Sequence, residues 1–460
     1  MMTLSADFIA QMRAILPDEA DALLAAITST EPSVAIRVNP LKAPADAASA
    51  LRRVPWCDAG RYLAEREPFT FDVDFQSGRY YVQDASSMFI HHVLRHLVKE
   101  PVRYLDLCAA PGGKTTTAIS ALPQGSMVVA NEIVNARARV LCENLQKWGA
   151  PRCVVTNNAP HHFGRLSHFF DVVAADVPCS GEGMMRKDEQ ARRQWSPALV
   201  KQCADLQRSI IADVWDALRP GGLLIYSTCT YNTLENEQML AWMVHEYGAE
   251  PVAVPVPEQW HIHPAIEGNL PCYRFMPHRT EGEGLFMAVL RKPEAPRKEV
   301  RLKKAKATKA KPLPVPKEVR CRLKDADHFD FSVVNDEVVA VPADMAPIMP
   351  AFADLNVMHM GVNVGAIKGK NCVPSHALAL SSALNPAAFP TCEVDYLAAM
   401  AFLRGEALSL PQAPRGYVLL TYHSQPIGFV NNLGNRANNL YPKAWRVLST
   451  HLPTVPPNIL

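Results

Sequence analysis

The chain has no apolar run approaching the roughly 18 residues that a membrane-spanning helix requires, which excludes an integral helical membrane protein. It has almost no net charge, +2 overall, so a uniformly basic or acidic binding protein is excluded as well. The three spaced glycines of a dinucleotide-binding fingerprint are absent, and no internal repeat has the period of a solenoid. Met1-Met2-Thr3-Leu4-Ser5-Ala6-Asp7 carries an acid and lacks the basic-then-apolar pattern of a secretory leader. A cytoplasmic location is the expectation, and there disulfides are rare. The eleven cysteines therefore read mostly as small buried residues. Any that fall on a site loop need another explanation.

What is present is length, and an uneven distribution of charge. A chain of 460 residues exceeds one ordinary core. Between Arg291 and Lys324 stand fourteen Lys or Arg against three Glu, a local balance of about +11 in an otherwise mildly acidic body. Such a stretch is a solvated linker, a non-specific nucleic-acid contact by counterion release, or both. Pro293 to Pro316 is rich in Lys, Ala and Pro without apolar period, which reads as linker.

The expected organisation has four parts. Residues 1–90 form a small α/β unit, with helical spacing from Phe8 to Ile27 and a strand at Ser33–Val38. Residues 91–292 alternate strands and helices. The strands are Tyr104–Leu107, Met127–Ala130, Cys153–Thr156, Asp171–Ala175 and Leu223–Ser227, with a last one at Glu283–Leu290. The helices include Thr115–Ala121, Ala136–Trp148 and Ala198–Leu218, and Arg219-Pro220-Gly221-Gly222 reads as the turn after the last. That rhythm predicts an α/β fold with a doubly wound, mostly parallel sheet. Residues 293–318 are the basic linker. Residues 319–460 make a second globular region, open to division in two, with a hairpin near Gly416–Tyr422 and Pro426–Val430.

The segment Asp106-Leu107-Cys108-Ala109-Ala110-Pro111-Gly112-Gly113-Lys114-Thr115 is a strand end, a small-residue turn and a helix start. Such a turn lets a ligand approach the backbone at the positive end of a helix. Gly113-Lys114-Thr115 matches the end of a phosphate-binding P-loop, but Cys108 stands where that motif needs its first glycine. The next strand ends in Asn131-Glu132, 26 residues after Asp106. An acid there can accept both ribose hydroxyls of a nucleoside, or simply cap the following helix.

Two cysteines then follow two strand ends. Asp176-Val177-Pro178-Cys179-Ser180-Gly181-Glu182-Gly183 succeeds one, and Ser227-Thr228-Cys229-Thr230 ends the next. Common doubly wound orders make these strands neighbours, about 4.8 Å apart, which delivers both thiols to the edge carrying the small-residue turn. Paired thiols suit methylation of a carbon that is a poor nucleophile. A thiolate adding at carbon 6 of cytosine pushes electrons onto carbon 5, which can then take a methyl group. Asp176 is placed to hydrogen-bond the base, and the second thiol to assist release.

These residues resemble the Sun/Fmu-type RNA cytosine-5 methyltransferases. The likeness runs through Tyr80 to Asp84, Asp106 to Thr116, Asn131-Glu132-Ile133, Asp176 to Gly183, Arg186-Lys187-Asp188, Gln194-Trp195-Ser196 and Ser227 to Thr230. It covers roughly residues 30 to 290. It implies S-adenosylmethionine as methyl donor, Cys229 as nucleophile and Cys179 as the residue that aids release, with Asp176 and Lys114 beside them. Asp106, Cys108, Ala109, Ala110, Pro111, Gly112, Gly113, Lys114, Glu132, Asn158 and Asp176 are the implied donor-binding residues, and no metal is implied. One departure stands out: Ala159 occupies the place of an aspartate that contacts adenine in many members, leaving either Asn158 as a substitute or backbone groups to hold adenine. The tail from Arg415 through Arg436 to Lys443 resembles the PUA-like RNA-binding end of members acting on small-subunit ribosomal RNA, or else is an Asn-rich cluster of turns. A soluble monomer acting on RNA is therefore expected. Transfer RNA, DNA cytosine methylation and a non-catalytic ribosome-assembly role are the alternatives.

Overall fold

A computed structural model describes residues 4–44, 46–295, 315–449 and 451–460. Most of the expected linker at 293–318, and with it most of the basic stretch, lies outside the described residues.

The chain opens with α1 (Ala6–Ile15) and α2 (Ala20–Ser29). The helical spacing from Phe8 to Ile27 is thus split in two, because Pro17 bars the helical conformation at Leu16, which sits at φ −134° and ψ 62°. An antiparallel sheet follows, of β1 (Val34–Val38), β2 (Arg53–Val54), β3 (Cys57–Leu63) and, after α3 (Val73–Gln76), β4 (Tyr80–Val82), in the order β2-β3-β1-β4.

After α4 (Phe89–Leu97) comes the alternation that the apolar rhythm predicts. It runs β5 (Arg103–Asp106), α5 (Gly113–Ala121), β6 (Met127–Asn131), α6 (Asn135–Trp148), β7 (Cys153–Thr156), β8 (Phe170–Asp176), α7 (Glu189–Gln194), α8 (Pro197–Trp215), β9 (Leu218–Thr228) and α9 (Glu237–Tyr247). Then come β10 (Glu250–Pro251), β11 (Tyr273–Phe275) and β12 (Leu285–Arg291). Strands β9-β8-β5-β6-β7 are parallel, and β12 joins β9 antiparallel. Alternate residues serve the two faces: Leu105, Val129, Val173 and Leu224 enter one core, while Tyr104, Val128, Val172 and Ile225 enter the other. The Pro-Gly-Gly stretch does not precede its strand as a plain turn. It lies inside β9 as a register shift between the pairs Phe170–Leu218 and Val172–Leu223, with Gly221 at φ +71°.

The region after the linker holds α10 (Lys317–Arg320), β13 (Phe329–Val334), β14 (Glu337–Pro342), β15 (Val357–Met360), β16 (Val362–Lys368), β17 (Asn371–Pro374) and α11 (His376–Leu380). Then follow β18 (Thr391–Glu393), α12 (Tyr396–Leu403), β19 (Gly416–Tyr422), β20 (Gln425–Asn432) and β21 (Ala437–Asn439). β19 and β20 form the expected hairpin, in a sheet of order β18-β19-β20-β21. This region does not stand apart from the central sheet: β15 pairs antiparallel with β7 and closes its edge. No helix among the described residues is long and apolar enough to cross a membrane.

The N-terminal unit is keyed into the back of α5 by Arg37 on β1, which is fully buried. Its guanidinium donates to Gln83 Oε1 at 2.9 Å, to Ser120 Oγ at 3.2 Å and to Thr116 Oγ1, and lies 4.4 Å over the Trp148 ring. Burial pulls its pKa down to about 10. Arg37→Ala strands these hydrogen-bonding groups and opens a cavity, so we expect about 3 kcal/mol of lost stability. The urea unfolding midpoint measures it.

Candidate active site

Parallel pairing puts the carboxyl ends of β5, β6, β7, β8 and β9 along one edge, where ligands of doubly wound sheets bind. The β5–α5 turn is stapled from behind by side chains of α6 and β4. Arg137 donates to Ala110 O at 2.9 Å, Asn144 to Pro111 O at 2.8 Å and Tyr81 Oη to the same carbonyl at 3.2 Å. Ala109 N donates to Asn131 O at 2.8 Å. Gly112 takes φ +112° at the cap of α5, where a Cβ would stand 3.2 Å from Leu141. The turn needs glycine there, since other residues rarely hold that φ. Burial, together with nearby carboxylates, pushes the Cys108 thiol up and leaves it inert.

Asp106 ends β5, is buried, and accepts from Thr115 Oγ1 at 2.6 Å. Burial raises its pKa from 3.8 to about 7; the Thr115 bond opposes this, Asp176 adds to it and Lys114 reduces it. Glu132 follows β6 and is also buried. One oxygen accepts from Val134 N at 2.9 Å and the other lies 3.2 Å from Arg137. Glu132 thus bonds the residue just before α6 and does not cap that helix, which has no side-chain cap. Asn158, after β7, has both ends of its amide on the backbone of Asn356: Nδ2 donates to Asn356 O at 3.3 Å and Oδ1 accepts from Asn356 N at 3.1 Å. Its side chain ties the strand-closing segment to the sheet.

The two cysteines meet. β8 and β9 pair Asp176 with Ser227, and the chains beyond bring Cys179 Sγ within 3.2 Å of Cys229 Sγ. Cys229 N also donates to Cys179 Sγ at 3.3 Å. Both thiols are free and partly buried, and all eleven cysteines are unpaired. The hydrogen bond with Cys229, and then burial, push the Cys179 thiol well up. Asp176 accepts from Ser227 Oγ at 2.7 Å and from Lys114 Nζ at 2.8 Å. Burial alone would lower the Lys114 ammonium, but Asp176, with Cys229 and Asp106, holds it above its ordinary value. Asp106, Lys114, Asp176, Cys179 and Cys229 thus form one constellation, with Glu132 and Asn158 on the next two strand tips.

Residues outside the sequence-based list complete it. Ser227 orients Asp176, and buried Glu182 and Glu235 bind the two cysteine loops. Their flanking positions beside each cysteine were the available signal. Arg186, in a stretch singled out from sequence, forms a buried two-point pair with Glu283. In the tail, Asn432 donates to the carbonyls of Leu410, Ala413 and Pro414, and Asn439 to those of Phe402 and Glu406. Those two amides hold turns together, whereas Arg436 and Asn438 are exposed.

A doubly wound sheet with a glycine-capped turn on one strand tip and a thiol pair on two others defines a methyltransferase of the S-adenosylmethionine-dependent class. Three family models match: 16S rRNA methyltransferase RsmB/F at residues 95–291, the N-terminal domain of 16S rRNA methyltransferase RsmF at 4–85, and the methyltransferase RsmF PUA domain at 389–447. Ribosomal RNA small subunit methyltransferase F of Erwinia tasmaniensis is 31% identical over 95% of each chain, and that of Aliivibrio fischeri strain MJ11 is 31% identical over 85% of each. A methyltransferase homolog protein from Pyrococcus horikoshii has a solved structure 27% identical, with TM-score 0.54, covering 63% of this chain and 95% of its own. The fold is shared also with NSun6 from Pyrococcus horikoshii, solved with SFG, at 20% identity and TM-score 0.54 over 63% of this chain and 99% of that one. The chain belongs to the ribosomal RNA small subunit methyltransferase F family, and its C-terminal PUA domain marks RNA as its partner.

The raised carboxyl of Asp106 has a sign. Its folded pKa exceeds its unfolded value, so between pH about 4 and 7 unfolding releases a proton and the folded state loses stability as pH rises. Unfolding midpoints of the wild type should therefore fall relative to Asp106→Asn across that window and run parallel above it. Parallel curves throughout would refute the burial argument.

Proposed function

We propose that this protein transfers a methyl group from S-adenosylmethionine to carbon 5 of a cytosine in small-subunit ribosomal RNA, through a covalent bond between Cys229 and carbon 6. The observation that carries this reading is the 3.2 Å thiol pair beside the Asp176–Lys114 ion pair. The turn from Cys108 to Gly113, with Asp106, Glu132 and Asp176, suits the methyl donor: Gly112 holds the cap at φ +112°, and two acids stand at adjacent strand tips. Asn158 spends one donor and one acceptor of its amide on Asn356, and adenine then falls to its remaining groups or to the backbone. When bound, the donor supplies an electrophilic methyl group.

Each protein group then has a task. The Cys229 sulfur bonds to carbon 6, and the carbon 5–carbon 6 electron pair becomes available at carbon 5. Asp176, fixed by Ser227 and Lys114 and a third exposed, accepts a hydrogen bond from the amino group of the base, and the Lys114 ammonium beside it offsets the negative charge that builds on the ring. Lys114 holds that carboxylate in place through an ion pair at 2.8 Å. After transfer, water takes the carbon 5 proton, the electron pair of that bond re-forms the carbon 5–carbon 6 double bond, and the Cys229 sulfur leaves carbon 6 as a thiolate. A thiol held as firmly protonated as Cys179 is a poor nucleophile, but a good hydrogen-bond donor to a departing sulfur anion 3.2 Å away. The two cysteines therefore take different tasks, with Cys229 as nucleophile and Cys179 aiding release directly or through water. The protein acts as a cytoplasmic monomer in this reading.

Denaturing gels of the enzyme incubated with substrate RNA test the assignment. Cys229→Ala should abolish the denaturant-stable complex and lower turnover roughly 10⁴-fold or more. Cys179→Ala should accumulate the complex. Loss of the complex in Cys179→Ala alone would reverse the roles. Bisulfite sequencing of RNA from cells with and without the protein should show one 5-methylcytosine lost from small-subunit ribosomal RNA. A loss confined to transfer RNA would reassign the substrate.

A further inference from the structure

Each cysteine loop carries one buried glutamate, and each glutamate holds the other loop. Glu235 lies six residues beyond Cys229, yet its Oε2 accepts from Ser180 N, the residue next to Cys179, at 3.0 Å. The same oxygen takes Gln207 Nε2 at 2.8 Å, and Gln207 also donates to Pro178 O at 2.9 Å on the near side of Cys179. Glu182 lies three residues beyond Cys179, yet its Oε2 accepts from Tyr231 N and Asn232 N, at 2.6 and 2.9 Å, in the loop that leaves Cys229. Its Oε1 takes Trp195 Nε1 at 3.0 Å and Gln11 Nε2 at 2.9 Å, which anchor it to the body of the protein. The Asn232 amide lies between the two carboxylates, 2.8 Å from Glu235 Oε1 and 3.1 Å from Glu182 Oε1.

Both carboxylates are fully buried, and among the described residues neither has a cation as a hydrogen-bond partner. Burying such groups costs several kcal/mol unless donors compensate. A fold that needed only packing would place apolar residues there. Oxygen acceptors are required because the loops cross, and each presents backbone N–H groups that the other must satisfy.

We infer that Glu182 and Glu235 are positioning residues that set the Cys179–Cys229 separation by cross-clamping the two loops, Glu182 governing the nucleophile's loop and Glu235 the loop of the release thiol. This rests on the assignment of those two roles. Glu182→Gln and Glu235→Gln preserve volume but can turn an amide N–H₂ toward a backbone N–H. The loop then shifts, and a displacement near 1 Å in reacting groups costs about 100-fold in rate.

Two readouts on full-length enzyme separate the clamp from the catalytic assignment. The first uses no substrate: diamide takes one hydrogen from each thiol and joins Cys179 to Cys229, and peptide mass mapping follows the rate. Wild type should cross-link fast, and both glutamine variants about tenfold or more slower, a consequence of lost pre-organisation. The second is the ratio of covalent complex to methylated product, which is unchanged if a variant merely has a smaller folded fraction. Glu235→Gln should raise that ratio and Glu182→Gln should slow complex formation. Should either fail to fold, Asn232→Ala removes the bridging amide, together with its bonds to Thr230, Ser180 and Glu235 N, but keeps both carboxylates and should still slow cross-linking. Unchanged cross-linking in folded variants overturns the clamp. Slowed cross-linking with complex formed normally by Cys229→Ala leaves the clamp standing and overturns the catalytic roles instead.

Discussion

The chemistry depends on one constraint, the pairing of two parallel strands whose ends carry sulfur. β8 and β9 are locked in register from Val172–Leu223 to Asp176–Ser227, so neither thiol can move along the edge without breaking a ladder buried on both faces. The same pairing puts Ser227 beside Asp176, and Lys114 reaches the other oxygen from α5. Three neighbouring strand tips and one helix start thus converge through the geometry of a single sheet.

That edge is electrostatically expensive. Asp106, Glu132, Glu182 and Glu235 are all buried near it, against Lys114 and the partly exposed Arg137 as nearby cations. Backbone and side-chain donors, rather than ion pairs, carry most of the compensation. Donors fixed by the fold in this way are what electrostatic catalysis by pre-organisation uses. The N-terminal unit contributes to the same end by locking α5 from behind through Arg37 and Gln83.

The strands and helices of the central sheet were legible because a fully buried parallel strand is a short apolar run and its turns are rich in glycine. The cysteines were legible because two of them follow neighbouring strand ends, beside an aspartate and a proline turn. Three things were not. The break at Pro17 was hidden by apolar spacing that continues in phase across it. The role of Asn158 depends on Asn356, nearly two hundred residues away. Glu182 and Glu235 stand near the cysteines in sequence, but only tertiary structure reveals the donors that make their burial tolerable.

β15 has a consequence for assembly. The methyltransferase sheet borrows its outermost member from chain that emerges long after the sheet's own strands. Until Val357–Met360 arrives, the hydrogen-bonding rim of β7 stays open, a template for unwanted pairing with other chains during synthesis. A fragment ending after the catalytic region would keep that sticky rim permanently. The downstream region, besides carrying the PUA domain, therefore acts as a seal that completes the enzyme it follows.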